Sequence, residues 1–369
     1  MKIFNGLIFR YLTNIYSSYA KLQRTFLGTY AVDPIRVYLY MTNKCNCFCH
    51  YCDYAGNSCK DYITGLPYKE ELSFDDVKNV VDQLPKNVVI TFIGGEPTLA
   101  RDIYKAIEYA AKKHQVQLIT NGTTMNMERI EKLINWGVWV INFSLDAPVG
   151  EIHDTYRGHD GLVEKIKGLI KEIKRIKRAR GLKRPLIHIN TVILKLSIPY
   201  LPEMVKLAAQ LEVDWLTFTI LRDNNGIRED DGNREFKGII DYTQTDLDLL
   251  KEKLGESVKI AKELNVTLRF SEELKNIEHL VKVHSSQGVK ELKDGIDMSH
   301  LACYAPWTSL WVWPNGVASI CHIALGDIRK NRLKDLWQNN IARDSRRNYT
   351  LGKKELPQKC QGCCLVFPK

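Results

Sequence analysis

The apolar and polar positions of this chain fall into one repeating beat. "IRVYLYM" at 35–41 is β-branched and aromatic, reads as a strand, and runs straight into a cysteine-rich loop. A helix follows over 74–84, where Ser73 with Asp76 three residues on forms a capping-box start. "VVITFIGGEP" at 88–97 is a buried-type strand ending in glycines, and a helix over 102–113 comes next. The beat recurs as "VQLITNG" with a helix near 127–136, "VWVINFSLDA" with a basic helix at 161–179, "LIHINTVIL" with a helix at 200–211, and then "DWLTFTIL". Six strands alternating with helices demand a parallel sheet with right-handed crossovers, an α/β fold. Beyond them, 222–245 is polar and glycine-bearing and reads as a linker or a substrate-facing loop. A helix near 246–264, the strand-like "VTLRF" and a charged stretch to about 300 follow.

In such folds the reactive groups gather on loops at the C-terminal strand ends. Cys45–Cys52 follows the first strand, Gly94–Glu96 the second, Asn121 the third and Asp146 the fourth. That coincidence is stronger than any one motif.

Composition narrows the chemistry. The 369 residues carry a formal charge of +10, which suits anionic partners or simply a basic surface. Apolar runs such as "VVITFI" are strand-length, far short of a membrane span, and Asn5 and Arg10 interrupt the first ten residues where a signal peptide would be apolar. The expected location is therefore the cytoplasm, where clustered cysteines mean metal or redox chemistry more often than disulfides. The ten cysteines divide into Cys45, Cys47, Cys49, Cys52 and Cys59 near the start and Cys303, Cys321, Cys360, Cys363 and Cys364 near the end.

Cys45, Cys49 and Cys52 give C-x3-C-x2-C, with Cys47 left over. Three thiolates on a cubane iron–sulfur cluster leave one iron without a protein ligand, an opening for a small chelator. A structural zinc site wants four closed ligands, usually as paired C-x2-C hooks, and no second hook lies nearby.

With this spacing, an aromatic (Tyr51) before the last cysteine, and Gly94, Gly95, Glu96 and Pro97 after the second strand, residues 35–222 resemble the radical SAM superfamily. The resemblance implies a partial (β/α)6 TIM-like barrel and a [4Fe-4S] cluster held by Cys45, Cys49 and Cys52. It also implies S-adenosylmethionine chelated to the free iron through its amino and carboxylate groups. Reductive cleavage of its S–C5′ bond would give a 5′-deoxyadenosyl radical that takes hydrogen from substrate, with a flavodoxin or ferredoxin as reductant. Glycines at 94 and 95 would let the backbone approach a ligand, and Glu96 would pair with the methionine ammonium. Tyr51 would border the adenine, and Ser144 and Arg157 would contact the ribose or the methionine carboxylate. Strand termination is the competing role for Ser144, and a pairing with Asp154 for Arg157. For Asn121 and Asp146, contact with cofactor or substrate and turn chemistry are equal readings. Cys47 and Cys59 are not expected as ligands, since a fourth thiolate would close the open iron.

The tail offers a second constellation. Cys303, Gly316 shortly before Cys321, and a late C-x2-C resemble the SPASM and twitch domains that follow some radical SAM cores. "PNG" supplies a hairpin turn and "NRLKDLW" a short helix. The full SPASM pattern has a larger cysteine set for two auxiliary clusters, so the five here point to one. Its expected ligands are Cys303, Cys321, Cys360 and Cys363, with Cys364 the substitute for Cys363 and zinc as the alternative metal. His322 reads as a turn residue. The expected division is a helical extension over 1–34, the core over 35–222, a linker with a helix and strand over 223–299, and the auxiliary-cluster domain over 300–369.

Residues 2–27 place Phe4, Ile8, Tyr11, Leu12, Ile15, Tyr19, Leu22 and Phe26 at helical spacing. The stripe suits either peripheral contact with the inner membrane surface or packing on the barrel. The basic run at 171–184 suits anionic headgroups or a solvated helix face, and it lacks the interleaved aromatics that stack on nucleic-acid bases. The resulting expectation is a radical SAM enzyme acting on a small-molecule, headgroup-bearing or lipid-linked substrate. A peptide- or protein-modifying maturase is the alternative, and a non-catalytic zinc or nucleic-acid binding protein is the rival from another class.

Overall fold

The structure is a computed structural model whose described residues are 18–19, 22–49, 51–52, 71–220, 242–271, 274, 301–321, 323–350 and 366–368; of these, 301–303, 348–350 and 366–368 are described by backbone alone. The six expected strands form as β1 (Arg36–Tyr40), β2 (Val89–Ile93), β3 (Gln115–Thr120), β4 (Val140–Ser144), β5 (Leu186–Ile193) and β6 (Trp215–Ile220). A short β7 (Leu268–Phe270), inside "VTLRF", adds a seventh, and each strand is parallel to the next. Between them run α1 (Phe74–Asp82), α2 (Ile103–Ala111), α3 (Met127–Asn135), α4 (Gly150–Arg157), α5 (Leu162–Ala179), α6 (Leu201–Gln210) and α7 (Gln244–Glu263). Of these, α4 is absent from the sequence reading.

Strand order from β1 to β7 follows the chain without reversal. Every right-handed crossover therefore lays its helix on the same side, the arrangement of a partial barrel rather than a doubly wound sheet. The helix-facing side is apolar: Leu39, Phe92, Leu118, Ile141 and Ile187 lie in register across five strands and are fully buried. Each such side chain contributes about 1.5–3 kcal/mol. The helices supply the matching stripes. In α5, Leu162, Ile166, Leu169, Ile173 and Ile176 face in, while Lys171, Arg175, Arg178 and Arg180 of the basic run are exposed. The capping box opens α1 as expected, with Ser73 Oγ accepting from Asp76 N at 3.2 Å and Asp76 Oδ2 accepting from Ser73 N at 3.0 Å.

The other face of the sheet is polar and aromatic. Register places Trp311, Tyr38, Thr91, Gln117 and Val140 in one row, Ile119, Asn142, His188 and Trp215 in a second, and Ser144, Asn190, Thr217 and Arg269 in a third. A parallel sheet packed on both faces reads as continuous apolar runs. These rows therefore line a lumen.

The C-terminal part contributes β8 (Leu301–Cys303), α8 (Ala305–Thr308), β9 (Ser309–Val312), β10 (Val317–Ile320), β11 (Ile323–Asp327), α9 (Leu333–Gln338), α10 (Asn340–Thr350) and β12 (Val366–Pro368). It does not stand apart from the barrel. β9 pairs parallel with β1, and β10 and β11 continue the sheet antiparallel, with Gly316 at φ +82 in the β9–β10 turn. Arg329 grips Asp76 of α1 at 2.9 and 3.1 Å, and Asn79 of α1 donates to Ile328 O at 2.9 Å. Arg346 on α10 is fully buried and donates to the carbonyls of Pro306 (2.8 Å), Trp337 (2.9 Å) and Thr29 (3.3 Å).

Most of the N-terminal amphipathic stretch, including 2–17, lies outside the described residues. Residues 22–27 are helical, but the last two members of the apolar stripe face solvent: Leu22 is 57% and Phe26 76% exposed. Gln23 is buried instead, because its amide accepts from Val32 N at 2.7 Å and donates to Trp307 O at 3.2 Å. Among the described residues no helix is long and apolar enough to cross a membrane.

Candidate active site

The loop after β1 is fastened to the end of β2 by backbone. Gly95 N donates to Thr42 O and Glu96 N to Lys44 O, each at 2.8 Å. A Cβ at Gly94 would stand 2.3 Å from Thr42 O and one at Gly95 2.4 Å from Lys44 O, and Gly94 has φ +147. What approaches these glycines is therefore the cysteine loop.

Within the loop Cys45, Cys47 and Cys49 are buried and Cys52 is half-buried. Hydrogen bonding from the Cys47 thiol holds Cys45 below the usual thiol value and, with the Arg157 charge in support, brings Cys49 down to about 7. Cys47, sharing its proton with those two neighbours and buried, is pushed up. Cys45 and Cys49 are thus easier to deprotonate than Cys47. Asn121 joins it: Nδ2 lies 3.2 Å from Cys47 Sγ and 3.4 Å from Asn46 Oδ1, while Oδ1 accepts from Thr123 N at 2.9 Å. Among the described residues no group of three His, Cys, Asp or Glu stands in metal-holding geometry. The fit to an iron–sulfur cluster rests on donor chemistry: two acidified thiols plus Cys52, whose backbone N–H turns back to Cys49 O at 3.0 Å.

Opposite the glycines, α4 holds the loop from the other side. Phe48 N donates to Arg157 O at 2.8 Å, next to Gly158, which ends the helix at φ +60. Arg157 does not pair with Asp154, whose Oδ1 accepts from Val163 N at 3.0 Å. Its partner is the fully buried Asp146: Oδ2 accepts from Arg157 Nε and Nη2, each at 2.9 Å, and from Tyr51 OH at 2.6 Å. Asp146 Oδ1 accepts from Val192 N at 3.0 Å. His153, one turn before Arg157 on α4, accepts from Asp146 N at 3.0 Å through Nδ1. Burial, then the Arg157 charge, lowers it to about 3, so it is neutral at pH 7. Burial drives the Tyr51 phenol well above its ordinary value, so it donates as a neutral hydroxyl.

Glu96 is 1% exposed and caps the turn Pro97–Leu99. It accepts from Thr98 N at 3.1 Å, the Thr98 hydroxyl, Thr120 Oγ1 at 2.8 Å and Asn121 N at 2.7 Å. Burial nevertheless raises its carboxyl above the ordinary range. Ser144 ends β4, half-buried and in register with Asn190 on the lumen face.

Of the C-terminal cysteines, Cys303 lies on β8, where its backbone pairs with Val366 of β12. Cys321 is half-buried just after β10 at φ +51, and its carbonyl accepts from Ser319 Oγ at 2.8 Å. Cys59, His322, Cys360, Cys363 and Cys364 lie outside the described residues. The sequence reading missed the lumen face that holds Asn142, His188, Asn190, Thr217 and Arg269. Its signal was present as alternation within "VINFS", "LIHINTVI" and "WLTFTI".

Residues 39–208 match the family profile described as the radical SAM superfamily, and 303–364 match the SPASM iron–sulfur cluster-binding domain. The AdoMet-dependent heme synthase of Methanosarcina barkeri is 25% identical over 334 residues, covering 88% of this chain and 89% of that one. The AdoMet-dependent heme synthase of Oleidesulfovibrio alaskensis is 30% identical over 174 residues, 46% of this chain and 41% of its own length, so the match spans less than half of that relative. Among solved structures, Streptococcus suis SuiB bound to precursor peptide SuiA superposes with a TM-score of 0.62 at 17% identity, covering 92% of this chain and 72% of that one.

Proposed function

Because the chain belongs to the radical SAM superfamily and carries a SPASM iron–sulfur domain, we propose that it abstracts hydrogen from a small-molecule, headgroup-bearing or lipid-linked substrate. S-adenosylmethionine at a [4Fe-4S] cluster supplies the 5′-deoxyadenosyl radical on one-electron reduction. In this chain Cys45, Cys49 and Cys52 hold that cluster, and Cys47 remains a thiol. The Gly94–Gly95 strand end and the Arg157 helix end clamp the loop from two sides. Asp146 orients Tyr51 and Arg157 toward the mouth, where Gly94, Gly95, Glu96, Asn121 and Ser144 complete the cofactor site. Cys303, Cys321, Cys360 and Cys363 hold an auxiliary cluster, with Cys364 the alternate for Cys363.

The observation that carries the reading is the backbone union of the C-x3-C-x2-C loop with the Gly94–Glu96 strand end. The polar lumen and the heme synthase relative, alike over most of both lengths, support a small-molecule substrate. Peptide or protein modification is the second reading, favoured by the fold shared with SuiB and its precursor peptide. A flavodoxin or ferredoxin delivers the electron, and residues 2–27, with Leu22 and Phe26 exposed, make peripheral membrane contact.

Anaerobic reconstitution tests the reading. Two cubanes bring about eight irons and a brown colour, and dithionite with S-adenosylmethionine yields 5′-deoxyadenosine. Colourless protein that binds zinc and forms no 5′-deoxyadenosine would refute it.

A further inference from the structure

Eleven large apolar or aromatic side chains are exposed among the described residues, and five of them fall within the eleven positions 22–32, just before β1. Leu22 and Phe26 stand one turn apart on the helix 22–27, and Leu27, Tyr30 and Val32 are 40%, 53% and 48% exposed. The chain doubles back here, because the amide oxygen of Gln23 accepts from Val32 N at 2.7 Å and closes the segment into a hook. The inner side of the hook is fixed to the C-terminal part. Trp307 Nε1 donates to Gly28 O at 2.9 Å, Trp337 Nε1 to Val32 O at 2.6 Å, and the Gln338 amide to Ala31 O. Arg343 donates to Tyr30 OH at 2.9 Å and lies 5.3 Å above its ring. The hook thus turns its backbone inward and its apolar side chains outward. Protein surfaces normally scatter such residues singly, and a group of them on a firmly held backbone marks an interaction surface.

We propose that the hook 22–32 docks the protein on an anionic phospholipid bilayer. This deepens the peripheral contact read above by giving it an anchor and a lipid class, and it is independent of the chemistry at the mouth. Charge decides the occupant. Residues 1–32 hold Lys2, Arg10, Lys21 and Arg24 and not one acidic residue. Two copies meeting on this face would set like charge against like, whereas each basic residue draws anionic headgroups. Leu22 and Phe26 also end the apolar stripe that starts at Phe4, so a helix continued upstream enlarges this face and does not fold over it. Tyr30, an aromatic ring with a polar tip beside a guanidinium, is the kind of group favoured at headgroup depth. The position leaves function free. Ile35 N donates to Thr308 O at 3.0 Å where the parallel strands β1 and β9 begin, and the cysteine loop leaves the far end of β1. Docking through the hook keeps the mouth clear for cofactor and substrate.

The test is vesicle sedimentation of reconstituted holoenzyme with oxidised clusters and no S-adenosylmethionine. The vesicles are phosphatidylcholine alone, or phosphatidylcholine mixed equally with phosphatidylglycerol. Binding to the anionic vesicles is expected to be at least about tenfold tighter and to weaken as salt rises. Phe26→Ser and Val32→Ser are each expected to weaken it by about threefold to tenfold, and Arg24→Glu by about fivefold or more. Val32 lies outside the stripe 2–27 and so separates the two ideas: loss with Phe26→Ser but none with Val32→Ser overturns the hook while the stripe contact stands. If Val32→Ser does not fold, as urea unfolding reports, Tyr30→Ser takes its place. Equal binding to both vesicles overturns the anionic bilayer as occupant, and no sedimentation with either overturns the membrane contact altogether. A concentration-dependent dimer that Phe26→Ser dissolves also overturns the proposal and assigns the face to a second copy. With no S-adenosylmethionine present, none of these outcomes depends on whether 5′-deoxyadenosine can form.

Discussion

Replacing Gly95 with alanine adds one methyl group at the tightest point of the cysteine-loop anchor. The new Cβ would lie 2.4 Å from Lys44 O and 2.8 Å from Asn43 O, both backbone atoms with no side-chain freedom to retreat. The loop must move by about 1 Å, and overpacking of this kind costs about 1–3 kcal/mol. That movement also pulls on the bonds Gly95 N–Thr42 O and Glu96 N–Lys44 O. Losing both would add about 1 kcal/mol each, for a total of about 3–5 kcal/mol. Gly168 is the control, since a Cβ there meets nothing within 4 Å and the residue sits inside α5. Gly168→Ala is expected to be neutral or to stabilise by up to about 1 kcal/mol through helix propensity. Urea unfolding of the apo forms measures the stability term, and iron content after reconstitution measures the site, with Gly95→Ala losing the N-terminal cluster. A Gly95→Ala protein as stable as Gly168→Ala and with full iron would refute the argument that loop position depends on this contact.

Single alanine replacements of Cys45, Cys49 or Cys52 are each expected to remove about half of the bound iron, and Cys47→Ala to retain it; equal losses in all four would assign Cys47 a ligand role. His153 and His188 are both lowered to about 3 by burial, with the Arg157 and Arg269 charges respectively in support. Their neutral folded forms contribute stability that is fully present above pH ~6.5 and is lost as pH falls toward 3, at about 1.4 kcal/mol per pH unit for each. Urea midpoints of the apoprotein that stay flat from pH 6.5 to 5 would contradict this. Arg346→Met strands three carbonyl bonds inside the C-terminal packing and is expected to cost about 3–5 kcal/mol. Arg329→Ala breaks a pair whose arginine is 39% exposed and is expected to cost no more than about 1 kcal/mol in the same unfolding assay.

The barrel was legible because its helix-facing side is written as Val, Ile, Leu and Phe at strand and helix periods, and the signal repeats six times. α4 was not, because "GEIHDTYR" is mostly polar and its purpose is chemical. It sets His153 and Arg157 four residues apart on one helix face, and both reach Asp146. The glycine pair was visible as a special strand end, but glycine records only that something comes close, not whether it is ligand or backbone. Asn142 and His188 escaped notice because reactive groups were sought at the strand ends, which passed over a polar alternation present in the letters of the strands themselves. Gln23 and Arg346 are buried against backbone carbonyls and amides from distant segments. No local pattern announces such partners, and composition alone assigns both residues to the surface.

Asp146 ties these two halves of the site together. One oxygen takes Tyr51 and Arg157, and so fixes the last cysteine's neighbour and the helix that clamps the loop. The other takes the backbone of Val192 on β5, the strand that carries His188 and Asn190 on its lumen face. A shift of the carboxylate therefore moves the cysteine loop relative to the lumen rows, and the hydrogen abstraction proposed above would depend on that spacing to within about 1 Å. A buried carboxylate that served only to neutralise Arg157 would need no bond to β5. Its division between a loop and a strand is what aligns the chemistry at the mouth with the surface below it.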